Sequence, residues 1–516
     1  MEKIKILWAD DEIELLKPHV MFLESKGYVV TTVNNGADAV QLTKENSYDI
    51  IFLDENMPGL SGLETLTRIK AIVPSTPVVM ITKSEEEAIM ESAIGGKISD
   101  YLIKPVNPNQ ILLSIKKHVD GKKIMTEKTG TEYQQQFRQI AMELMDVRTF
   151  EDWSAIYKKL VYWELELEKI EDQGLHSILQ MQRTEANNLF NRFIIDNYAN
   201  WLNGRGTEAP VMSHTLFKKK IMPEIETEPA FLFVIDNLRY DQWRVLRPII
   251  TEYFKEESEE TFFSILPSAT QYARNALFAG LLPSEIQKRY PDMWVNDDED
   301  EGKNMHEKEF LDGQLKMLGK NIKFSYNKIT NIAAGKKLVD NFSNLLQNHL
   351  NVIVYNFVDM LSHARTEMEV IRELAENEVG YRSITKSWFE HSPLFDLFKK
   401  VAEKKIKVII TTDHGTVHVK EPSKIVGDRN TNSNLRYKQG RNLNYNAKDV
   451  FEVKNPADIF LPKSNISTTY VFAKDYKFFV YPNNYNQFVN YFQGTFQHGG
   501  ISMEELIIPF VVLKPK

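Results

Sequence analysis

Along the first 120 residues, short apolar runs alternate with segments whose apolar residues recur every three or four positions. The runs at 5–9, 29–33, 50–53, 77–81 and 100–103 read as strands, and the intervening segments predict helices over 12–27, 37–45, 62–73, 85–93 and 109–119. Five such βα units make a doubly wound parallel sheet. From Glu132 to about Leu202 the strand signal disappears and helical spacing takes over, as in Phe137, Ile140, Ala141 and Leu144, and later Leu160, Trp163, Leu167 and Ile170. The aromatic residues Trp153, Tyr157, Tyr162 and Trp163 are expected to pack these helices together. After the turn-rich stretch Asn203-Gly204-Arg205-Gly206-Thr207, buried strands return at 230–235, 351–358 and 408–410. The pattern therefore divides the chain into an α/β domain (1–119), a helical connector (120–206) and a second α/β domain (207–516).

Composition narrows the chemistry. The chain has 516 residues, too many for one hydrophobic core, with 42% hydrophobic and 26% charged residues, as in ordinary globular proteins. Its net charge of -8 argues against a generally basic nucleic-acid binder, and no helix-turn-helix pattern with a basic face is evident, so sequence-specific DNA binding is not expected. With no cysteine, any transition metal must be held by His, Asp, Glu or hydroxyl groups. Met1-Glu2-Lys3-Ile4-Lys5-Ile6-Leu7 leads directly into a strand, without a signal-peptide core, and no stretch is long enough to span a bilayer. A cytoplasmic location is the expectation.

In the first domain the polar residues cluster at strand ends: Asp10 and Asp11, Asp54, Thr82, and Lys104 before Pro105. Carboxylates converging on one sheet edge repel one another, which implies a hard cation such as Mg²⁺, and the Lys104 ammonium suits a phosphoryl group on Asp54. This set, with Leu53-Asp54-Glu55-Asn56-Met57-Pro58-Gly59 and Tyr101-Leu102-Ile103-Lys104-Pro105, resembles the flavodoxin-like receiver domain of two-component response regulators. The resemblance implies that Asp54 accepts phosphate, that Asp10, Asp11 and Asp54 hold Mg²⁺, and that Thr82 and Tyr101 respond to the phosphoryl group.

In the third region acids and imidazoles again follow apolar strands. Asp236 ends the first; Asp413 and His414 end Val408-Ile409-Ile410-Thr411-Thr412; Asp359 and His363 lie at i and i+4 after another, a spacing that lets both reach one metal. Thr270 stands at a strand-to-helix turn, where a hydroxyl meets the positive end of a helix, and His498 lies in a glycine-flanked loop. Asp236, Thr270, Asp359, His363, Asp413, His414 and His498, in this order, resemble the ligand set of the alkaline phosphatase superfamily, and most closely its PglZ domain. The resemblance implies two Zn²⁺ ions, one held by Asp236, Thr270, Asp413 and His414 and the other by Asp359, His363 and His498, with Thr270 as the nucleophile. Two Zn²⁺ against three carboxylates and an ionised Thr270 leave the site close to neutral. Arg274 and Asn275, one turn beyond Thr270, are candidates to touch phosphate oxygens. The basic segment with Lys420, Lys424, Arg429, Arg436, Lys438 and Arg441 is a candidate clamp for an oligonucleotide, with Arg436 and Lys438 as substrate contacts.

Receiver, helical connector and PglZ domain in this order resemble PorX-type response regulators. The resemblance implies a sensor histidine kinase as phosphodonor, a phosphorylation-dependent homodimer, contacts with a sigma factor or secretion machinery, and control of type IX secretion. The leading expectation is a phospho-regulated zinc phosphodiesterase acting on nucleotide-type phosphodiesters. The alternatives are a switch whose PglZ domain is a zinc-stabilised partner-binding module, and a DNA-binding transcription factor. Mn²⁺ also suits the His/Asp set.

Overall fold

The computed structural model describes residues 3–83, 98–170, 172–205, 209–296, 302–356, 358, 361, 373–428, 431–463 and 465–516, with backbone only for 120–128. The expected helix at 85–93 and the candidate residues Asp359, His363 and Arg429 lie outside this set. The chain divides into two compact units, Met1–Gln135 and Gln136–Lys516.

In the first unit, strands β1 (Lys5–Ala9), β2 (Val29–Val33), β3 (Ile50–Asp54), β4 (Val78–Thr82) and β5 (Asp100–Ile103) form one sheet in the order β2-β1-β3-β4-β5. Every pairing is parallel, which places all the strand C-termini on one edge. β3 and β4 are buried along their whole length because helices cover both faces. One apolar cluster gathers Ile6, Trp8, Phe52 and Ile81 on one side, and Leu7, Leu53, Leu66 and Met80 form the cluster on the other. Local signals set the helix starts: Asn35 caps Gly36–Glu45, and Ser61 with Glu64 forms a capping box for Gly62–Ile72. The observed strands match the sequence pattern to within a residue.

The second unit contains a mixed sheet built from β6 (Ala230–Ile235), β7 (Phe254–Phe263), β8 (Phe324–Ile329), β9 (Leu350–Tyr355), β10 (Lys407–Thr411) and a C-terminal strand. Between β10 and that strand the chain forms β11 (Val417–His418), β12 (Glu421–Val426), β13 (Tyr437–Gly440), β14 (Asn444–Tyr445), β15 (Val450–Val453), β16 (Thr469–Ala473), β17 (Lys477–Val480) and β18 (Phe496–Gln497), grouped in three small sheets. The C-terminal strand is β19 (Ile507–Pro515), and the large sheet runs β7-β19-β10-β6-β9-β8. β10 lies inside the sheet, as its β-branched run demands, parallel to β6 but antiparallel to β19. The sheet is therefore not purely parallel, since the return of β19 supplies one neighbour of β10 and β7 pairs with β19 in turn.

The helices Phe150–Leu167 and Gln173–Leu202 belong to this second unit. Trp153 is fully buried against Phe190 and Phe193, so it serves as core. Phe150, Tyr198 and Trp201 surround Phe263 at the end of β7, and Tyr157 meets Tyr240, which joins the helices to the sheet. Among the described residues no helix is long and apolar enough to cross a membrane.

Candidate functional site

On the edge of the first sheet, single carboxylate oxygens of Asp10, Asp11 and Asp54 lie within 4.8 Å of one another. The Lys104 ammonium, delivered by the turn after β5, is 2.8 Å from Asp10 Oδ2 and 3.0 Å from Asp54 Oδ2. Burial pushes Asp54 up to about 6, and Asp10 and Asp11 add to the rise against the opposing pull of Lys104. Asp54 Oδ1 is buried without a hydrogen-bond partner. An orphaned oxygen beside three carboxylates fits a hard divalent cation, which would relieve their repulsion. Thr82 is buried at the end of β4, beside Asp54 on β3, and its carbonyl accepts from the Lys104 backbone N–H at 2.7 Å. Tyr101 packs its ring against the cluster that includes Met57 and Met80.

The second site lies where β6 and β10 end side by side. Their parallel register pairs Thr411 with Val234, so the following loops carry Asp236 and Asp413 out at the same level. Asp236, Asp413 and His414, all fully buried, place ligand atoms within 4.8 Å of one another. Asp413 Oδ1 accepts from the backbone N–H groups of Asn237 (3.2 Å) and His414 (3.1 Å), while its Oδ2 has no hydrogen-bond partner. His414 Nδ1 lies 3.1 Å from the Gly415 carbonyl, a contact that requires the proton on Nδ1 and leaves Nε2 as an acceptor. Thr270 donates its hydroxyl to that Nε2 at 3.0 Å and lies 3.5 Å from Asp236 Oδ1.

Thr270 is the first residue of the helix Thr270–Ala279, whose N-cap Ala269 makes no side-chain cap bond. Its hydroxyl is directed to the acid-imidazole cluster and leaves the positive helix end open to an anion. His498 stacks on His414, with ring centroids 4.2 Å apart, and its Nδ1 lies 3.0 Å from the Ser268 carbonyl. The structure thus gathers Asp236, Thr270, Asp413, His414 and His498. Burial pushes Asp236 up to about 6; Arg274 opposes this and Asp413 adds to it. The buried, unpaired Asp413 oxygen beside Asp236 and the His414 imidazole fits a zinc-type cation.

The expected substrate contacts take other roles. Arg274 is buried with Nη1 2.7 Å from Asp236 Oδ2, and Nε 2.5 Å from Glu307. Asn275 donates to the Lys303 carbonyl at 3.0 Å and accepts from Asn304. Arg436 and Lys438 are not an anion clamp. Arg436 is fully buried against Glu505, 2.7 Å away, and Lys438 donates to the Asn432 carbonyl at 2.8 Å under the Tyr481 ring. Arg436, just before β13, and Lys438 on it are held inward by Glu505, by backbone carbonyls and by the Tyr481 ring, and their charge secures the fold. Lys420 and Lys424 lie over the Tyr476 and Tyr485 rings, and Arg441 faces Asp428.

Residues without any motif complete the frame. Glu505 accepts from the Gly500 N–H at 2.8 Å and Ser268 from Gly499 at 3.0 Å, which pins the His498 loop. Asn304 donates to the Thr270 carbonyl at 3.2 Å. Ser268 and Asn304 meet partners far away in the chain, which no periodic or spacing signal announces, whereas Glu505 follows Ser502 at the spacing of a helix start.

Three family models match the chain: a response regulator receiver domain over residues 6–116, a PorX response regulator linker domain over 123–202, and a BREX system PglZ alkaline phosphatase-like domain over 216–513. Curated relatives include the transcriptional regulatory protein ResD of Bacillus subtilis (strain 168), 35% identical over 112 residues covering 22% of this chain and 46% of that protein. The uncharacterized transcriptional regulatory protein YkoG of the same strain is 32% identical over 131 residues, covering 25% of this chain and 58% of the relative. The chain spans about half the length of the curated relatives it matches. Similar solved structures include a CheY-like receiver from Methanospirillum hungatei JF-1 (23% identity, TM-score 0.23, 23% of this chain and 96% of that one). Another is a receiver domain from Clostridium thermocellum (31%, TM-score 0.22, 23% and 98%).

Fold and sites together define a response regulator that carries an alkaline phosphatase-like domain, in the order of a PorX-type regulator. The PglZ model covers more than half of the residues, and the chain belongs to that family.

Proposed function

We propose that this protein is a response regulator phosphorylated on Asp54 whose C-terminal domain is a two-zinc phosphodiesterase acting on nucleotide-type phosphodiesters. The observation that carries the reading is the Thr270 hydroxyl, 3.0 Å from His414 Nε2 and at the open end of a helix, beside the buried pair Asp236 and Asp413. Asp236, Thr270, Asp413 and His414 would hold one zinc, and His498, together with Asp359 and His363, the other. Zinc held by these residues would supply Lewis acidity, favouring an ionised Thr270 hydroxyl and negative charge on the departing oxygen. The Thr270 oxygen attacks phosphorus, an O–P bond forms as the ester P–O bond breaks, and the leaving alkoxide takes up a proton. Water then cleaves the phosphothreonine, which returns the hydroxyl and releases a phosphomonoester. The uncapped helix end favours the anionic phosphate.

In the receiver, the Asp54 carboxylate takes phosphoryl from a histidine kinase, with Mg²⁺ on Asp10, Asp11 and Asp54 and with Lys104 balancing charge. Phosphorylation drives homodimerisation and engagement of a sigma factor or secretion component in a cytoplasmic pathway controlling type IX secretion.

Zinc-loaded protein is expected to hydrolyse bis-p-nitrophenyl phosphate, and Thr270→Ala to reduce kcat by about a thousandfold or more. Unchanged hydrolysis in Thr270→Ala would remove the nucleophile assignment. Asp54→Ala should abolish labelling by acetyl phosphate while leaving that hydrolysis measurable.

A further inference from the structure

The buried cation at the zinc-type site is held from behind by a buried anion. Arg274 bridges Asp236 Oδ2 at 2.7 Å and reaches to 3.7 Å from Asp413 Oδ2, so one guanidinium nitrogen stands against both candidate ligand carboxylates. Left alone, such a charge would compete with a divalent cation for the same oxygens. Its Nε is drawn the other way, 2.5 Å from Glu307 Oε1, and Glu307 is almost completely buried. The second Glu307 oxygen accepts from the Tyr326 hydroxyl and faces Lys328 at 3.3 Å. Lys328 in turn donates to the Asn304 carbonyl at 2.8 Å, and Asn304 binds the Thr270 carbonyl. Glu307 thus anchors a closed chain of contacts that runs from β8 through Arg274 and Asn304 to both the carboxylate and the nucleophile.

We propose that Glu307 is a positioning residue: by holding and neutralising Arg274, it confines the guanidinium to Asp236 Oδ2 and reserves Asp236 Oδ1 and Asp413 Oδ2 for a divalent cation. The inference rests on the reading of Asp236 and Asp413 as cation ligands. Supporting groups behind metal ligands typically change affinity by about 10–100-fold when removed. Here the physics also fixes the sign of each change. Loss of the Glu307 charge leaves Arg274 uncompensated beside the ligands and weakens cation binding, whereas loss of Arg274 removes the competitor and tightens it.

The test is zinc affinity of the full-length protein, measured by competition with a chromophoric chelator, which needs no turnover. Glu307→Gln is expected to weaken zinc binding about tenfold, Arg274→Gln to strengthen it, and the charge-neutral double variant Arg274→Gln/Glu307→Gln to bind at least as tightly as wild type. A purely structural role would move both single variants in the same direction; that result, or wild-type affinity in Glu307→Gln, overturns the proposal. Should a single variant fail to fold, the double variant decides: zinc binding weaker than wild type sinks the idea. Wild-type protein that binds zinc without cleaving phosphodiester would overturn the enzymatic reading and leave this one standing.

Discussion

Gly415 has no room for a side chain: a Cβ built there would lie 2.1 Å from the Glu504 carbonyl oxygen and 3.4 Å from Arg239 Cγ. Its N–H also donates to the Glu505 carbonyl at 3.1 Å, so the backbone after His414 is fixed by close approach to the segment leading into β19. Gly415→Ala must push that segment away and with it the His414 ring. Overpacking of this kind costs about 1–3 kcal/mol, and urea unfolding of the variant should show a loss in that range. Hydrolysis should fall with it, because Thr270 is aligned on His414 Nε2. At this scale the sequence marked Asp413, His414 and Thr270 as candidates through their positions after apolar runs, and the structure brings the three together. The sequence did not expose Glu307 or Glu505, whose roles arise from contacts with Arg274 and Arg436 that no local spacing encodes.

Between elements, a buried ionic network ties the connector helices to the loops that carry the site. Glu164 on Phe150–Leu167 accepts from Arg183 on Gln173–Leu202 and, at 3.0 Å, from Arg382. Arg183 continues to Glu504 at 2.6 Å, whose carbonyl abuts Gly415, and Arg382 to Asp241 at 2.7 Å, which pairs with Arg239 three residues beyond Asp236. Burial raises the Glu164 pKa, but Arg183 and Arg382 outweigh it and hold the group at about 2. A carboxyl held below its unfolded value contributes stability that is complete above about pH 4.5 and is lost as pH falls toward 2. The contribution is on the order of 3 kcal/mol. Unfolding free energy measured across this window should therefore fall less steeply in Glu164→Gln than in wild type, and Glu164→Gln should be the less stable at pH 7. An equal slope in both would remove Glu164 from the acid response. Helical periodicity announced the connector helices, but their attachment to the sheet came from Phe150, Tyr157 and Tyr198, whose partners Phe263 and Tyr240 are distant in sequence.

For the whole molecule, the two compact units predict two calorimetric transitions, and only the second contains the zinc-type site. A ligand bound by the native state alone stabilises by about 2.7 kcal/mol at a hundredfold excess over its Kd. Zinc should raise the transition of residues 136–516 and a chelator should lower it, with the receiver transition unmoved; a zinc shift confined to the receiver would contradict the assignment. By itself the sequence determined the receiver sheet, the helical connector, the buried character of β6, β9 and β10, and the acid and imidazole residues that follow β6 and β10. These follow from patterns with periods of two to four residues, or from an acid placed directly after an apolar strand. Only the tertiary structure decided that β19 returns antiparallel beside β10, that Arg436 and Lys438 turn inward, and that Arg274 is shared between Asp236 and Glu307. Each of these depends on which distant segment supplies the neighbour, and for a charged side chain the depth and sign of that neighbour fix whether it meets a ligand or another residue. The charge pairs around the site were therefore settled by packing.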